Sequence, residues 1–337
     1  MRLTWVLLPF GLVLILALTI LIFGLPFGQS LQLLFEGALG DKFGIHRTIL
    51  KCAPLIMVAL GTIVAWRAGM FNIGGEGQLI FGVCVGGWIA AAAGGLPAGV
   101  QTPVILIACG LGGALYAGIA GWLHAVRGVN VVISTILLNF VALHLLSYLV
   151  RGPLQTSAGT IPQSEPVDKA VRFSILDPQT ALHFGVLLVP VFAVIVWFLL
   201  KHTTGGLKLR LVGANPNAAR ASRIGVTRVQ VIALMLSGAL CGLAGGIEYL
   251  GSSGILFDDF SPGWGFLGIP VALLAGLHPL WAVVSGLYFG ALFAGSKNLE
   301  AFGATGSALV YAMQGAAVLA FVAISRFAVR QTEEAKS

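Results

Sequence analysis

The chain has 337 residues, of which 58% are hydrophobic and only 9% charged, against roughly 25% charged in an ordinary soluble domain. With a mean hydropathy of +0.97, this excludes a water-exposed globular surface and reads as a polytopic membrane protein. The formal charge of +7 comes without a basic block interleaved with aromatics, so nucleic acid is not an expected partner; basic residues kept on cytoplasmic loops account for it.

Taken in chain order, ten apolar runs approach the ~20 residues that span hydrocarbon: 5–27, 50–66, 71–94, 102–124, 130–150, 182–200, 228–250, 263–277, 280–296 and 306–326. The first exceeds a signal-peptide core and has no clear cleavage site, so it reads as a retained helix. The eighth and ninth share one apolar stretch broken at His278 and Pro279, where a turn or kink is expected. The expected fold is all-α: a single transmembrane domain over 1–337, a polytopic membrane helical bundle of about ten transmembrane helices. An inverted structural repeat between the two halves is compatible with this, since such repeats leave weak traces in sequence.

With the amino terminus in the cytoplasm, 12 of the 19 Lys and Arg fall inside and 7 outside, favouring two cytoplasmic termini. Residues 151–181, rich in Pro, Ser, Thr and Gln, are then extracytoplasmic, and 201–227, which carry no acid, are cytoplasmic. Glycines recur four apart at Gly82–Gly86, Gly238–Gly242–Gly246 and Gly286–Gly290, a spacing that lets helix backbones approach closely in lipid. Cys52, Cys84, Cys109 and Cys241 lie in or beside apolar runs without a CxxC pair and read as packing residues. The sequence has no GxxxxGK[ST], HExxH or GxSxG, and its six histidines are scattered. No metal site, no catalytic residue and no cofactor bound by this chain is expected.

Polar residues within the runs are candidates for a pathway, because a charged group in hydrocarbon costs ~3 kcal/mol on insertion scales. Glu76 and Gln78 lie in "FNIGGEGQLIFG", Phe71 to Gly82. If that helix starts near Asn72, which can cap it, Glu76 sits only about 7 Å inward and is favoured by the helix dipole. The glycines at 74, 75 and 77 weaken regular helix there. Asn139 is nearly central in its run, suited either to an interhelical hydrogen bond or to a solute contact. Glu248 stands close to the outer end of its run and can reach the interface.

In the cytoplasmic segment, Asn215 followed by Pro216 marks a helix start: Asn caps the free amides and Pro fits the first turn. Ala218, Ala219 and Ala221 favour helix and Gly225 can end it, giving about two turns flanked by basic residues. Such a helix either rests on the membrane surface or docks a cytoplasmic partner.

Four stretches together resemble one family. "GANPNAARASRIGV", 213–226, is similar to the cytoplasmic coupling segment of ABC-importer permeases of the branch serving nucleosides, simple sugars and branched-chain amino acids. "MFNIGGEGQL" (70–79) resembles that branch's NIGxEGQ motif, and "STILLNFVALHLLSYLVRGPLQ" (134–155) its TIMLNxIAxxLxxYLVRGPL segment. "GFLGIPVALLAGLHP" (265–279) resembles its GFxGIAVALLGxxxP stretch, with Pro270 where a small residue is usual.

The resemblance implies a permease subunit of an ATP-driven importer in a bacterial cytoplasmic (inner) membrane, moving nucleosides by alternating access, or else a simple sugar or other small polar solute. It implies a second permease subunit (self or a paralogue), cytoplasmic ATPase subunits that use the ATP, and an extracytoplasmic substrate-binding protein. Asn72, Glu76, Gln78, Asn139, Glu248 and Phe266 form the expected pathway or gate. Gly213, Ala214, Asn215, Pro216, Ala218, Ala219, Arg220 and Gly225 form the expected ATPase-coupling segment. An ion-coupled secondary transporter, driven by protonation or sodium binding at Glu76 or Glu248, is the reading from a different class. An intramembrane enzyme lacks a paired nucleophile and base in the spans.

Overall fold

A computed structural model describes residues 26–301, apart from 93, 158 and 160, together with 312 and 315. The predicted spans 5–27, all but its last two residues, and 306–326, apart from 312 and 315, lie outside the described residues. The described chain is predominantly helical: α1 Phe27–Phe35, α2 Lys42–Arg67, α3 Gly75–Ala92, α4 Ala98–Arg127, α5 Val131–Arg151, α6 Leu188–His202, α7 Thr204–Ala214, α8 Pro216–Ala221, α9 Val226–Glu248, α10 Trp264–Leu274 and α11 Pro279–Ala301. Among the described residues seven helices are long and apolar enough to cross a membrane; α10 is a shorter apolar helix.

Two compact units divide the chain, one holding the residues up to Cys52 and from Leu287, the other Ala53–Gly286. In the first, the Thr48 hydroxyl donates to the Ala38 carbonyl at 2.9 Å. There Gly295 packs so closely on Leu34 that a Cβ would stand 2.4 Å from its carbonyl oxygen. In the second, α4 packs along α9 on a glycine seam. A Cβ at Gly113 would lie 2.2 Å from the Gly238 oxygen, and one at Gly242 2.1 Å from the Cys109 oxygen. The four-residue glycine spacing therefore does what sequence predicted of it at Gly238 and Gly242, bringing two backbones into contact.

The helix boundaries have local causes. The α4 helix ends at Gly128, φ 68°, whose N–H returns to the His124 carbonyl, and Asn130 then caps α5 by accepting from the Val132 N–H. At the end of α2, Gly69 takes φ 74°. Its N–H bonds the Trp66 carbonyl while the Met70 N–H bonds Ala65, the reciprocal closure that a left-handed residue just past a helix permits. The stretch after α5 is mostly irregular. It contains a two-stranded antiparallel pair, β1 Ile175–Asp177 and β2 Leu182–His183, and is laced to the chain beyond α9. Ser164 N–H donates to Leu256 at 2.9 Å and Val167 N–H to Gly254 at 2.8 Å, while Arg151 pairs with Asp258.

Two sequence expectations are corrected. The predicted eighth span, 263–277, holds a helix of only 11 residues, about 16 Å long and too short for a ~30 Å hydrocarbon core. It is bounded by Gly263 at φ 89° and by Gly276 and Leu277 at φ 60° and 55°, so the His278–Pro279 break is a full turn and α11 begins at Pro279. Within α10, Pro270 supplies no N–H to the Phe266 carbonyl. Finally, Gly225 does not end the helix that begins at Pro216. That helix stops at Ala221, Arg223 takes the left-handed conformation at φ 58°, and Gly225, at φ −69°, precedes α9.

Candidate functional site

The α3 helix begins at Gly75, not near Asn72, and residues 70–74 before it are non-helical. Their depth follows from their neighbours. Asn139, about 12 Å along α5 from Val131, and Ser237, about 16 Å along α9 from Val226, both touch this stretch. Gly75 lies against Val58, about 14 Å back along α2 from Arg67. The chain therefore leaves the end of α2 and climbs outside any helix to the middle of its neighbours before α3 starts. The expected depth of about 7 Å for Glu76 is corrected: it assumed that the helix starts at the surface.

Such a stretch has no helical ladder, and each unpaired backbone group in a water-free setting costs several kcal/mol. Side chains replace the ladder. The Ile73 N–H donates to the Thr135 hydroxyl at 3.3 Å, and the Ile73 carbonyl accepts from the Asn139 amide at 3.0 Å. The Gly74 N–H donates to the Asn72 side-chain oxygen Oδ1 at 2.9 Å and the Gly77 N–H to the Asn139 Oδ1 at 2.8 Å. The Asn72 amide donates to Gln78 and to the Ser237 hydroxyl, both at 2.9 Å, and the Gln78 amide returns to Asn72 at 3.0 Å. Asn72, Gln78 and Asn139, chosen from sequence as pathway candidates, thus form one buried network with Thr135 and Ser237.

Glu76 is buried, 2% exposed, and turns away from its own helix to a second one. Its carboxylate accepts the Gly265 N–H at 2.6 Å, with the Ser261 hydroxyl and the Gly263 backbone beside it. These residues are the start of α10. The two starts meet so closely that a Cβ on Gly265 would stand 2.0 Å from the Glu76 nitrogen and 2.2 Å from its Cα; only glycine fits. Each helix start carries roughly half a positive charge, so two starts in contact repel, and a carboxylate between them offsets both. From this joint α3 runs toward Tyr249, whose hydroxyl lies 3.8 Å from a Cβ built on Gly87. The α10 helix runs the opposite way, to the Gly276–Leu277 turn that accepts the Arg67 guanidinium at 3.0 Å.

The other candidates lie apart. Glu248 is buried at the far end of α9, about 16 Å beyond Ser237. Phe266 is on α10 with its side chain 44% exposed. Thr135, Ser237, Ser261 and Gly265 escaped sequence reasoning; the "SPGWGFLG" run at 261–268 was the available sign, since it repeats the glycine-loosened helix start of "NIGGEG". A cavity of about 440 Å³ lies beyond the Tyr249 end of α3, lined by Gln101, Gln155, Glu165, Asp168 and Tyr249 among others.

The 201–227 segment adjoins the approach to the joint. Asn215 breaks it into α7 and α8, its side chain accepting the N–H groups of Asn217 at 3.0 Å and Ala218 at 3.1 Å, with Pro216 in the first turn. Ala219 is buried with Val212 and Val226, while Arg220 is exposed and donates to Asn217 at 2.9 Å. Gly213 sits on the end of α2: a Cβ there would lie 2.1 Å from the Arg67 oxygen and 3.0 Å from the Gly69 nitrogen. The sequence suggested one helix of about two turns; α7, capped by the Thr203 hydroxyl on the Gly206 N–H, was not foreseen.

Membrane-length helices, a joint of two helix starts at mid-depth and a side-chain-stitched connection define a multi-pass membrane transport protein. The family model described as the branched-chain amino acid transport system permease component matches residues 44–322. The chain belongs to that family of ABC-transporter permeases. It is similar to the glucose ABC transporter permease protein TsgB13 of Haloferax volcanii, 35% identical over 87% of this chain and 80% of the relative. It is also similar to the guanosine ABC transporter permease protein NupP of Bacillus subtilis, 34% identical over 84% and 82%. A third relative is the nucleoside ABC transporter permease protein NupB of Lactococcus lactis subsp. cremoris, 30% identical over 79% and 76%. No solved structure matches the chain.

Proposed function

We infer that this chain is the permease subunit of an ATP-driven importer whose solute is a nucleoside, moved by alternating access. One observation carries the reading: Gly213 of the cytoplasmic helix pair rests on Arg67 and Gly69, at the foot of the connection that ends in the Glu76 joint. A push on α7 and α8 is delivered to that connection. Residues 70–74 are held by side chains and not by a helical ladder, so they form the element with two arrangements. In this reading both termini are cytoplasmic, nucleotide is held by separate ATPase subunits that press on 213–225, a second permease completes the pathway, and a binding protein delivers solute to the side of 151–181. The full bundle has about ten helices. The opposed courses of α3 and α10 from one joint support an inverted repeat.

Two of the three relatives are named for guanosine or nucleosides and one for glucose; a simple sugar is therefore the second reading, and a ring bearing several hydroxyls is common to both. The test is uptake into vesicles holding the permease with its ATPase partners, supplied with labelled guanosine, uridine or glucose. Nucleoside uptake that requires ATP hydrolysis is expected. Uptake that persists without hydrolysis sinks the importer reading, and uptake of glucose alone replaces nucleoside by sugar. Asn215→Lys and Pro216→Asp are expected to leave the protein in the membrane while uncoupling hydrolysis from uptake; unchanged coupling in both refutes the docking role.

A further inference from the structure

A groove of about 1060 Å³ opens between α6, α7 and α9. Its walls are of two kinds. Val194 and Phe198 of α6 and Ile232 of α9 line the inner part and are exposed. Lys208 of α7, with Arg223 and Arg228 at the start of α9, lines the other end. That end coincides with the termini of two membrane-length helices, α6 at His202 and α9 at Val226, which is where hydrocarbon gives way to headgroups. From Val226 the lining continues to Leu236, about 15 Å along the helix, half the thickness of a hydrocarbon core. No acid occurs anywhere in 201–227, and among the described residues no carboxylate pairs with these three cations.

We propose that this groove is a binding site for one anionic phospholipid, its phosphate among Lys208, Arg223 and Arg228 and an acyl chain along Val194, Phe198 and Ile232. The complementarity selects the occupant. An apolar helix of a partner protein would leave three cations unmatched at its end; a soluble anion would leave the apolar walls facing water. Only a molecule with a negative head and a hydrocarbon body matches both, and the half-bilayer depth fits a lipid of the adjacent leaflet. Because α7 forms one wall and also carries Gly213, an occupied groove braces the helix that rests on the end of α2.

The test is native mass spectrometry of the full-length chain from nanodiscs of mixed phosphatidylglycerol and phosphatidylethanolamine. Selective retention of phosphatidylglycerol is expected, with the triple variant K208Q/R223Q/R228Q weakening it on the order of 100-fold, at the usual gain for each cation near an anionic surface. Arg127→Gln, at the corresponding end of α4, should leave it unchanged. A second variant, Ile232→Trp, keeps every cation but fills the apolar channel; it should release the lipid as well. Equal retention of the zwitterionic lipid, or no loss in either groove variant, overturns the proposal. So does glycerol phosphate binding as tightly as the lipid, or a cysteine at Val194 cross-linking to a partner chain. None of these readouts involves uptake, so the outcome is independent of the transport reading.

Discussion

Glu76 links two helix starts that would otherwise repel, and it does so through a charge-assisted bond to Gly265 (2.6 Å). Removing one partner of a buried bond to a charged group leaves the other unsatisfied, at about 1–3 kcal/mol. Glu76→Ala is therefore expected to lower thermal stability in detergent by that amount and to abolish uptake. Glu76→Gln keeps an acceptor for the Gly265 N–H but not the charge, so it should keep most of the stability and lose most of the uptake. Gly265→Ala, with a Cβ 2.0 Å from the Glu76 nitrogen, should separate the helices; equal uptake by Gly265→Ala and wild type would contradict the joint. His183 gives a pH test beyond the spans. It is 1% exposed, stacks on Phe173 and presses on Gly251. Burial, and after it the charge of Arg172, hold its imidazole down to about 4. Its neutral form is the one that fits, so its contribution is complete above the ordinary value near 6.5 and is lost as pH falls from there through about 4. Amide exchange over 164–183 should rise across that window in wild type and stay flat in His183→Gln. Of these residues Glu76, Asn72, Gln78 and Asn139 were legible as polar groups in apolar runs. What they touch was not, because Gly265 and Ser237 are more than 150 positions away in sequence and carry no chemistry of their own to announce a contact.

At the scale of elements, hydropathy found the long helices and misjudged the short one. Residues 263–277 are apolar throughout, so composition alone reads a span; the length of α10 is decided instead by backbone turns at Gly263, Gly276 and Leu277, and Leu277 is not a residue that signals a left-handed turn. The start of α8 was legible because Asn-Pro states its own geometry, whereas its stop at Ala221, followed by the left-handed Arg223, was not. Two changes probe this region. Asn215→Ala removes the acceptor for two amides and should destabilise α8 by about 1 kcal/mol, seen as faster amide exchange over 216–221 with the spans unaffected. Gly213→Val places a side chain against the Arg67 carbonyl and should lift α7 from α2, weakening coupling more than it weakens insertion.

At the scale of the molecule, the unit from Ala53 to Gly286 is held by backbone contact along the α4–α9 seam and by polar stitching around residues 70–78. These answer different demands: between helices in lipid there is little hydrophobic drive to exploit, so close packing supplies cohesion, while buried polar groups must find partners. Gly113→Leu should therefore prevent assembly of the bundle, read as loss of a monodisperse species in detergent. Arg151→Gln, which breaks a pair whose arginine is 60% exposed, should change stability by less than ~1 kcal/mol.

The shortness of α10 bears on how the protein is made. A segment of 11 residues cannot settle across a bilayer by itself as it leaves the ribosome, and Glu76 is synthesised nearly two hundred residues before the amide that will receive it. Until Ser261–Gly265 emerges, the carboxylate must wait beside water or take up a proton, and α3 cannot adopt its final depth. Translation of the last third of the chain is thus the event that completes the first third. A nascent chain arrested before Ser261 should leave a cysteine placed at Gly77 open to a water-soluble thiol reagent, and one arrested after Pro279 should close it.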